Sequence, residues 1–210
     1  MSLVLAAVLG YLLGAIPFGL IIGRLTKGID LREYGSHRTG ATNALRTLGT
    51  PAAAAVFVLD LAKGVAAVLL ARTLFGGDPM VEWAAAAAGV AAIVGHNWSV
   101  FIGFTGGRGV ATSAGALGAM SPWAIVIVAP IVLLTIWRSR YVSLGSVTGA
   151  LGAPIITAAL ATIGAASVPA IAYTLASGLL VTMAHADNIG RLRAGTERKI
   201  GQKELVSPHG

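Results

Sequence analysis

The sequence predicts an all-α, polytopic integral membrane protein with seven transmembrane helices. Hydrophobic residues make up 56% of the chain and charged residues only 11%, with a mean hydropathy of +0.81; a soluble domain carries roughly 25% charged residues. Apolar stretches of about 20 residues recur, the length a helix needs to cross the hydrocarbon. None of them alternates with a period of two. In lipid the backbone must be helical or closed into a barrel, and these runs read as helices.

Taken in order, the spans are Leu3–Gly23, Ala52–Phe75, Trp83–Phe101, Val110–Met120, Trp123–Trp137, Val142–Ile163 and Val168–Ala184. The first lacks a basic leading region and a small-residue cleavage site, so it reads as a retained helix. The stretch from Val110 to Trp137 is too long for one comfortable span and short for two. Ser121-Pro122 in its middle breaks the backbone and favours two short helices joined by a tight turn, with six spans as the alternative. Pro17, Pro130, Pro154 and Pro169 lie within or at the start of spans and predict kinks. Small residues at Ala84–Gly89, Gly115–Gly118 and Gly145–Gly152 let helices approach closely. No repeat and no linker is evident, so residues 1–210 read as one domain.

Charge sets the orientation. Of the fifteen basic residues, all but Lys63 and Arg72 fall at one face: Arg24, Lys27, Arg32, Arg38, Arg46, Arg108, Arg138, Arg140, Arg191, Arg193, Arg198, Lys199 and Lys203. The opposite loops, Gly76–Glu82, Ser121–Pro122 and Gly164–Ser167, carry no Lys or Arg. The positive-inside rule then places the N-terminus outside and the C-terminus in the cytoplasm. With six spans, Arg138 and Arg140 would face outside, so charge supports seven. The net charge of +7 is thereby explained by orientation, and no nucleic-acid partner is expected. The absence of cysteine excludes disulfide and thiolate chemistry.

Three polar segments interrupt the apolar runs, and this topology brings them to the same cytoplasmic face. The first, Gly35 to Arg46, offers Ser36, Thr42 and Asn43 as neutral hydrogen-bonding groups and Arg38 and Arg46 as cations. Such a loop can cradle an anion through backbone N–H groups and a bidentate arginine. The spacing of a P-loop is absent, and an ordinary basic loop is the alternative. The second segment runs from His96 through Gly106-Gly107-Arg108-Gly109 to Thr112 and leads into a helix whose N-terminus favours negative charge. His96 reads as an interfacial histidine with a satisfied hydrogen bond, or else as a ligand or a base. In the third segment His185 and Asn188 stand three apart on one helical face, followed by Arg191, Glu197 and Lys199; a lipid-binding polybasic tail is the alternative. Asp60 and Lys63 lie inside the second span at i, i+3, as a structural pair or a functional one. Ser143 and Ser146 begin the sixth span at the same face.

The text Gly-Ala-Thr-Asn-x-x-Arg at 40–46, Gly-His at 95–96 with Gly-Gly-x-Gly-Val-Ala-Thr at 106–112, and His-x-x-Asn-Ile-x-Arg-Leu-x-x-Gly-x-Glu-x-Lys at 185–199 resembles the bacterial acyl-phosphate:glycerol-3-phosphate acyltransferases, the PlsY family. The resemblance covers nearly the whole chain, and Asp60-x-x-Lys63-Gly64 is similar to a further family feature. Two departures stand out: His37-Arg38 follow Ser36 where the family usually shows Gly-Asn, and Arg108 replaces the lysine of the glycine loop. Arginine keeps the charge and adds a planar donor fork.

The resemblance implies transfer of a fatty acyl group from acyl phosphate to the 1-hydroxyl of sn-glycerol 3-phosphate. The products are lysophosphatidic acid and phosphate, in phospholipid biosynthesis at the bacterial inner membrane. The catalytic candidates are Ser36, Arg46, Arg108, His185, Asn188 and Glu197. The substrate-binding candidates are Thr42, Asn43, His96, Gly106, Gly107, Gly109, Thr112, Ser143 and Lys199. No cofactor and no metal is expected, and the partners are the two substrates and the bilayer. No serine sits in a nucleophile elbow, and acyl phosphate already carries a good leaving group, so direct transfer is expected, the proton passing to a substrate phosphate or to His185. The competing readings are a transporter of an organic phosphate, which calls for a midplane site and related halves, and a lipid-binding protein, which leaves the glycine loops unexplained.

Overall fold

The structure, a computed structural model, describes residues 1–202; Lys203 lies outside them. All the regular structure in the described residues is helical, apart from one isolated bridge between Ser99 and Thr105. The first run is two helices, α1 (Ser2–Ala15) and α2 (Phe18–Lys27), because Pro17 has no N–H to donate and drives Ile16 out of the helical region. The carbonyls freed there are taken up inside the protein. Ser99 Oγ donates to Ala15 O at 2.5 Å and Lys63 Nζ to Ile16 O at 3.0 Å. Gly28, with φ +69, closes α2.

A short helix that the sequence did not announce, α3 (Ala41–Thr47), precedes the long α4 (Thr50–Leu74), which starts on Pro51. Next come α5 (Val81–Asn97), α6 (Val110–Met120) and α7 (Pro122–Ser139), with Ser121 alone separating the last two. The third apolar run therefore ends four residues earlier than expected: its last part forms a 3-10 turn over Val100–Ile102. The chain continues as α8 (Val142–Thr162), α9 (Val168–Ala184) and α10 (Ala186–Arg193), the last two bent by 61°.

Among the described residues four stretches are long and apolar enough to cross a membrane by themselves: Ser2–Lys27, α4, α7 and α8. The bent pair α9 and α10 makes a fifth. The other two apolar runs are helical too, but α5 has 17 residues and α6 only 11. α5 is enclosed by protein, packed against α1, α4, α6 and α9. Ala84, Ala85, Ala86, Ala88 and Ala92 are buried, and Gly14 of α1 lies so close that a Cβ there would overlap the Ala92 backbone. Gly64 of α4 and Gly115 of α6 meet the Thr112 and Leu61 carbonyls in the same manner. This is small-residue packing of the kind that holds helices together without a hydrophobic driving force. Tyr173 of α9 is 1% exposed and donates its hydroxyl to Ser113 O at 2.8 Å, joining α9 to α6. α7 is the least buried of the long apolar helices, with Trp123, Leu133, Leu134 and Trp137 exposed.

At the end opposite the polar segments, Arg72 closes the bundle. It pairs bidentately with Glu82 at 2.8 and 3.0 Å and donates to Ala119 O at 2.6 Å. Its separation from the other basic residues follows from this local pairing.

Candidate functional site

One cavity of about 960 Å³ takes up all three polar segments. The first loop is shaped by Asn43, whose Nδ2 donates to the carbonyls of Leu31, Tyr34 and Arg38 at 2.9, 3.0 and 2.8 Å, and whose Oδ1 accepts from Ser36 N at 3.0 Å. These bonds wrap residues 31–43 around one buried amide, so Asn43 organises the loop while Ser36, Arg38, Thr42 and Arg46 line the cavity. The loop docks on the second segment: Thr39 N–H donates to Gly106 O at 3.5 Å, and Arg32 Nη1 donates to Ile102 O at 3.0 Å and to Thr105 Oγ1 at 3.1 Å.

In the second segment Gly109, at φ +73, turns the chain into α6. Gly106 and Gly107 lie against His96, and a Cβ on either would overlap it. His96 is 6% exposed, with Nδ1 3.4 Å from Asp60 Oδ1. It is therefore a buried partner of the second span, not the interfacial histidine expected. Arg108 lines the cavity and its Nε is buried with no hydrogen-bond partner. Burial, followed by the positive charges of Arg38 and Arg191, pulls its guanidinium down to about 10, so it stays charged at neutral pH.

The third segment is tied down by Glu197. Ser143 Oγ and Asn188 Nδ2 donate to its Oε1 at 2.7 and 2.6 Å, and Arg191 Nε donates to Oε2 at 2.7 Å. Burial raises the pKa of this carboxyl, but the three donors and the Arg191 charge outweigh it and hold the group below the ordinary carboxylate range. Asn188 Oδ1 stays buried and unpartnered. His185, at the bend between α9 and α10, has Nδ1 2.8 Å from Val181 O. A carbonyl only accepts, so Nδ1 carries the hydrogen and Nε2 keeps its lone pair. Burial lowers His185 to about 4, leaving it neutral at pH 7.

Thirteen of the expected site residues come together around this cavity or directly beneath it. Two do not. Thr112 is fully buried on the side of α6 that faces Gly64, away from the cavity lining. Lys199 stands with its Nζ 5.3 Å from the Tyr141 ring, outside the lining. The cavity also has parts beyond the residues expected from the sequence. Arg38, Arg191 and Arg198 extend its cationic rim, and Asn97 adds a buried amide with both side-chain atoms unpartnered. The same cavity is also walled by the apolar residues Leu117, Ile125, Val128, Val132 and Ile136. Among the described residues no cluster of three or more His, Asp or Glu side chains could hold a metal ion.

The family model described as glycerol-3-phosphate acyltransferase matches residues 4–195. A glycerol-3-phosphate acyltransferase 3 of Dehalococcoides mccartyi is 42% identical, with 96% of this chain and 97% of the relative covered. A glycerol-3-phosphate acyltransferase 2 of Moorella thermoacetica is 46% identical over 95% of this chain and 98% of its own. Among solved structures, PlsY (YgiH), an integral membrane glycerol 3-phosphate acyltransferase, superposes in its glycerol 3-phosphate form with a TM-score of 0.84, 38% identity and 96% of each chain covered. Its lysophosphatidic acid form gives 0.83 at 37% identity.

Proposed function

This chain belongs to the glycerol-3-phosphate acyltransferase family, and we propose that it transfers a fatty acyl group from acyl phosphate to the 1-hydroxyl of sn-glycerol 3-phosphate, giving lysophosphatidic acid and phosphate for phospholipid synthesis. One observation carries this reading: a single cavity is lined both by arginines, Arg38, Arg46 and Arg108 among them, and by the apolar side chains of Leu117, Val128, Val132 and Ile136. A phosphate needs the first and a fatty chain needs the second.

Arg46 and Arg108 hold the substrate phosphates, aided by the glycine-loop amides and the N-terminus of α6. The acyl chain lies along α7 and α8. The 1-hydroxyl oxygen attacks the acyl carbonyl carbon, the bond to the phosphate oxygen breaks, and the arginines and loop amides stabilise the developing oxyanion. The hydroxyl proton goes to the leaving phosphate. A phosphate monoester has its second pKa near ~6, above the value of about 4 for His185, so the phosphate is the better base. His185 Nε2 then serves as a hydrogen-bond acceptor that orients the hydroxyl. Ser36 and Thr42 bond the phosphate, while Asn43 and Glu197 hold the loops that carry these groups.

For the membrane setting we adopt seven crossings, with the enclosed α5 and short α6 counted, the N-terminus outside, and the cavity opening to the cytoplasm of a bacterial inner membrane. The distribution of arginine and lysine supports this. Purified protein given acyl phosphate is expected to release phosphate only when glycerol 3-phosphate is added, with no acylated protein by intact mass. Release without the acceptor, matched by an acyl adduct at Ser36, overturns direct transfer. No acceptor-dependent release overturns the transferase reading.

A further inference from the structure

Beneath the Gly106-Gly107-Arg108 loop lie three buried ionisable groups that acyl transfer leaves without a task. Asp60 is 2% exposed, Lys63 4% and His96 6%. Lys63 Nζ stands 2.8 Å from Asp60 Oδ1 and also donates to the Ile16 carbonyl that Pro17 sets free. His96 Nδ1 faces the same carboxylate oxygen at 3.4 Å. The opposite edge of the imidazole is covered by the glycine loop. Gly107 N–H donates to His96 O at 3.0 Å, and a Cβ on Gly107 would overlap His96 Nε2. Asp60 and His96 border the floor of the cavity, and both ring nitrogens are turned to the protein: Nδ1 faces Asp60 and Nε2 lies against Gly107.

A buried ion pair is weak evidence for stability, since desolvation offsets its attraction and an apolar pair of similar volume packs as well. The arrangement here does more than neutralise charge. Lys63 of α4 and His96 of α5 converge on one oxygen of Asp60, and the imidazole so placed is the surface on which the loop rests. A carboxylate behind a histidine sets its tautomer and ring orientation. Gly107 sits directly on that ring, and the next residue is Arg108.

We propose that Asp60, Lys63 and His96 form a positioning unit that sets where the Arg108 guanidinium meets the substrate phosphate. The inference rests on the reading of Arg108 as a phosphate ligand. The three act through the loop and touch no substrate, so their contribution appears in the affinity that Arg108 provides and disappears when Arg108 is removed. A residue that supports the fold in general weakens binding equally in either background.

The test is a cycle on the full-length protein in detergent, reading glycerol 3-phosphate affinity by calorimetry beside KM and kcat. Asp60→Leu with Lys63→Met removes both charges together, so no unpaired ion is left in the interior. This double variant is expected to weaken glycerol 3-phosphate at least tenfold with Arg108 present and less than twofold in the Arg108→Ala background. Asp60→Asn with Lys63→Met keeps an oxygen facing His96 and is expected to stay within threefold of wild type. Equal losses in both backgrounds, an unweakened leucine variant, or an asparagine variant as weak as the leucine one each overturn the positioning unit. A wild type that binds glycerol 3-phosphate without turning over refutes the transferase reading while the affinity cycle still decides this one. A wild type that does not bind it overturns both.

Discussion

Replacing Glu197 by alanine should unfasten the third polar segment. The carboxylate takes three donors at 2.6–2.7 Å, from Ser143, Asn188 and Arg191. Ser143 and Asn188 are 5% and 4% exposed, so each is left as an unmet buried donor, at about 1–3 kcal/mol apiece. The Arg191 side chain is 42% exposed and turns to water, which limits its share to below about 1 kcal/mol. Glu197→Ala is therefore expected to destabilise the protein by about 2–6 kcal/mol. Glu197→Gln keeps an acceptor for Ser143 and Asn188 and should lose no more than about 2 kcal/mol. The pH dependence follows from the depressed pKa of Glu197. Its contribution is complete above the unfolded value near ~4.3 and disappears as pH falls through the lower folded value, so stability should not respond to this group between pH 8 and 5. Equilibrium unfolding in mixed micelles measures all three. An alanine variant within 1 kcal/mol of wild type, or a glutamine variant as damaged as the alanine one, refutes the reasoning.

Arg108→Ala should raise the KM for the phosphate substrates roughly 10- to 150-fold, the equivalent of one charged hydrogen bond of ~1.5–3 kcal/mol. Arg108→Lys should be milder at neutral pH and should lose activity at a lower alkaline pH than wild type, since the burial and flanking arginines that depress Arg108 act on a lysine as well; steady-state kinetics from pH 7 to 10 checks both. His185, lowered to about 4, should leave no inflection near pH 6.5 in the rate profile, and an inflection there that vanishes in His185→Gln contradicts its assignment. Gly64→Ala puts a Cβ onto the Thr112 carbonyl and should destabilise by about 1–3 kcal/mol as an overpacked contact, read by thermal unfolding. For topology, cysteines placed at Ser36, Asp78 and Thr196 should leave only the position 78 variant labelled by an impermeant reagent on intact cells; the opposite pattern reverses the orientation.

The apolar runs and the Ser121-Pro122 turn were legible because long hydrophobic helices and a proline after a polar residue leave few alternatives. The polar segments were legible because glycine, arginine and amide side chains are conspicuous between such runs. Thr112 was misplaced for a reason of periodicity: Val110, Ala111, Ser113 and Ala114 line the cavity, whereas Thr112 turns to Gly64. Lys199 lies just past Glu197, yet its ammonium stands over the Tyr141 ring. The apolar wall of the cavity gave no signal, since Val128 or Val132 in a sequence reads the same whether it faces lipid or a fatty chain. The approach of His96 to Asp60 joins two helices, and only the packing of α4 on α5 brings them together.

Glu197 does not act at the tail alone. Ile200 N–H donates to Arg140 O at 2.8 Å and Arg140 Nη2 returns a bond to Ile200 O at 2.8 Å, so the segment after α10 is laced back to the turn between α7 and α8. Residues 197–200 leave the ribosome after every helix described here. Until they return, Ser143 and Asn188 have no shared acceptor and the rim of the cavity is open. A ribosome-bound or prematurely terminated chain that has made all its helices thus still lacks the acceptor that fastens this rim.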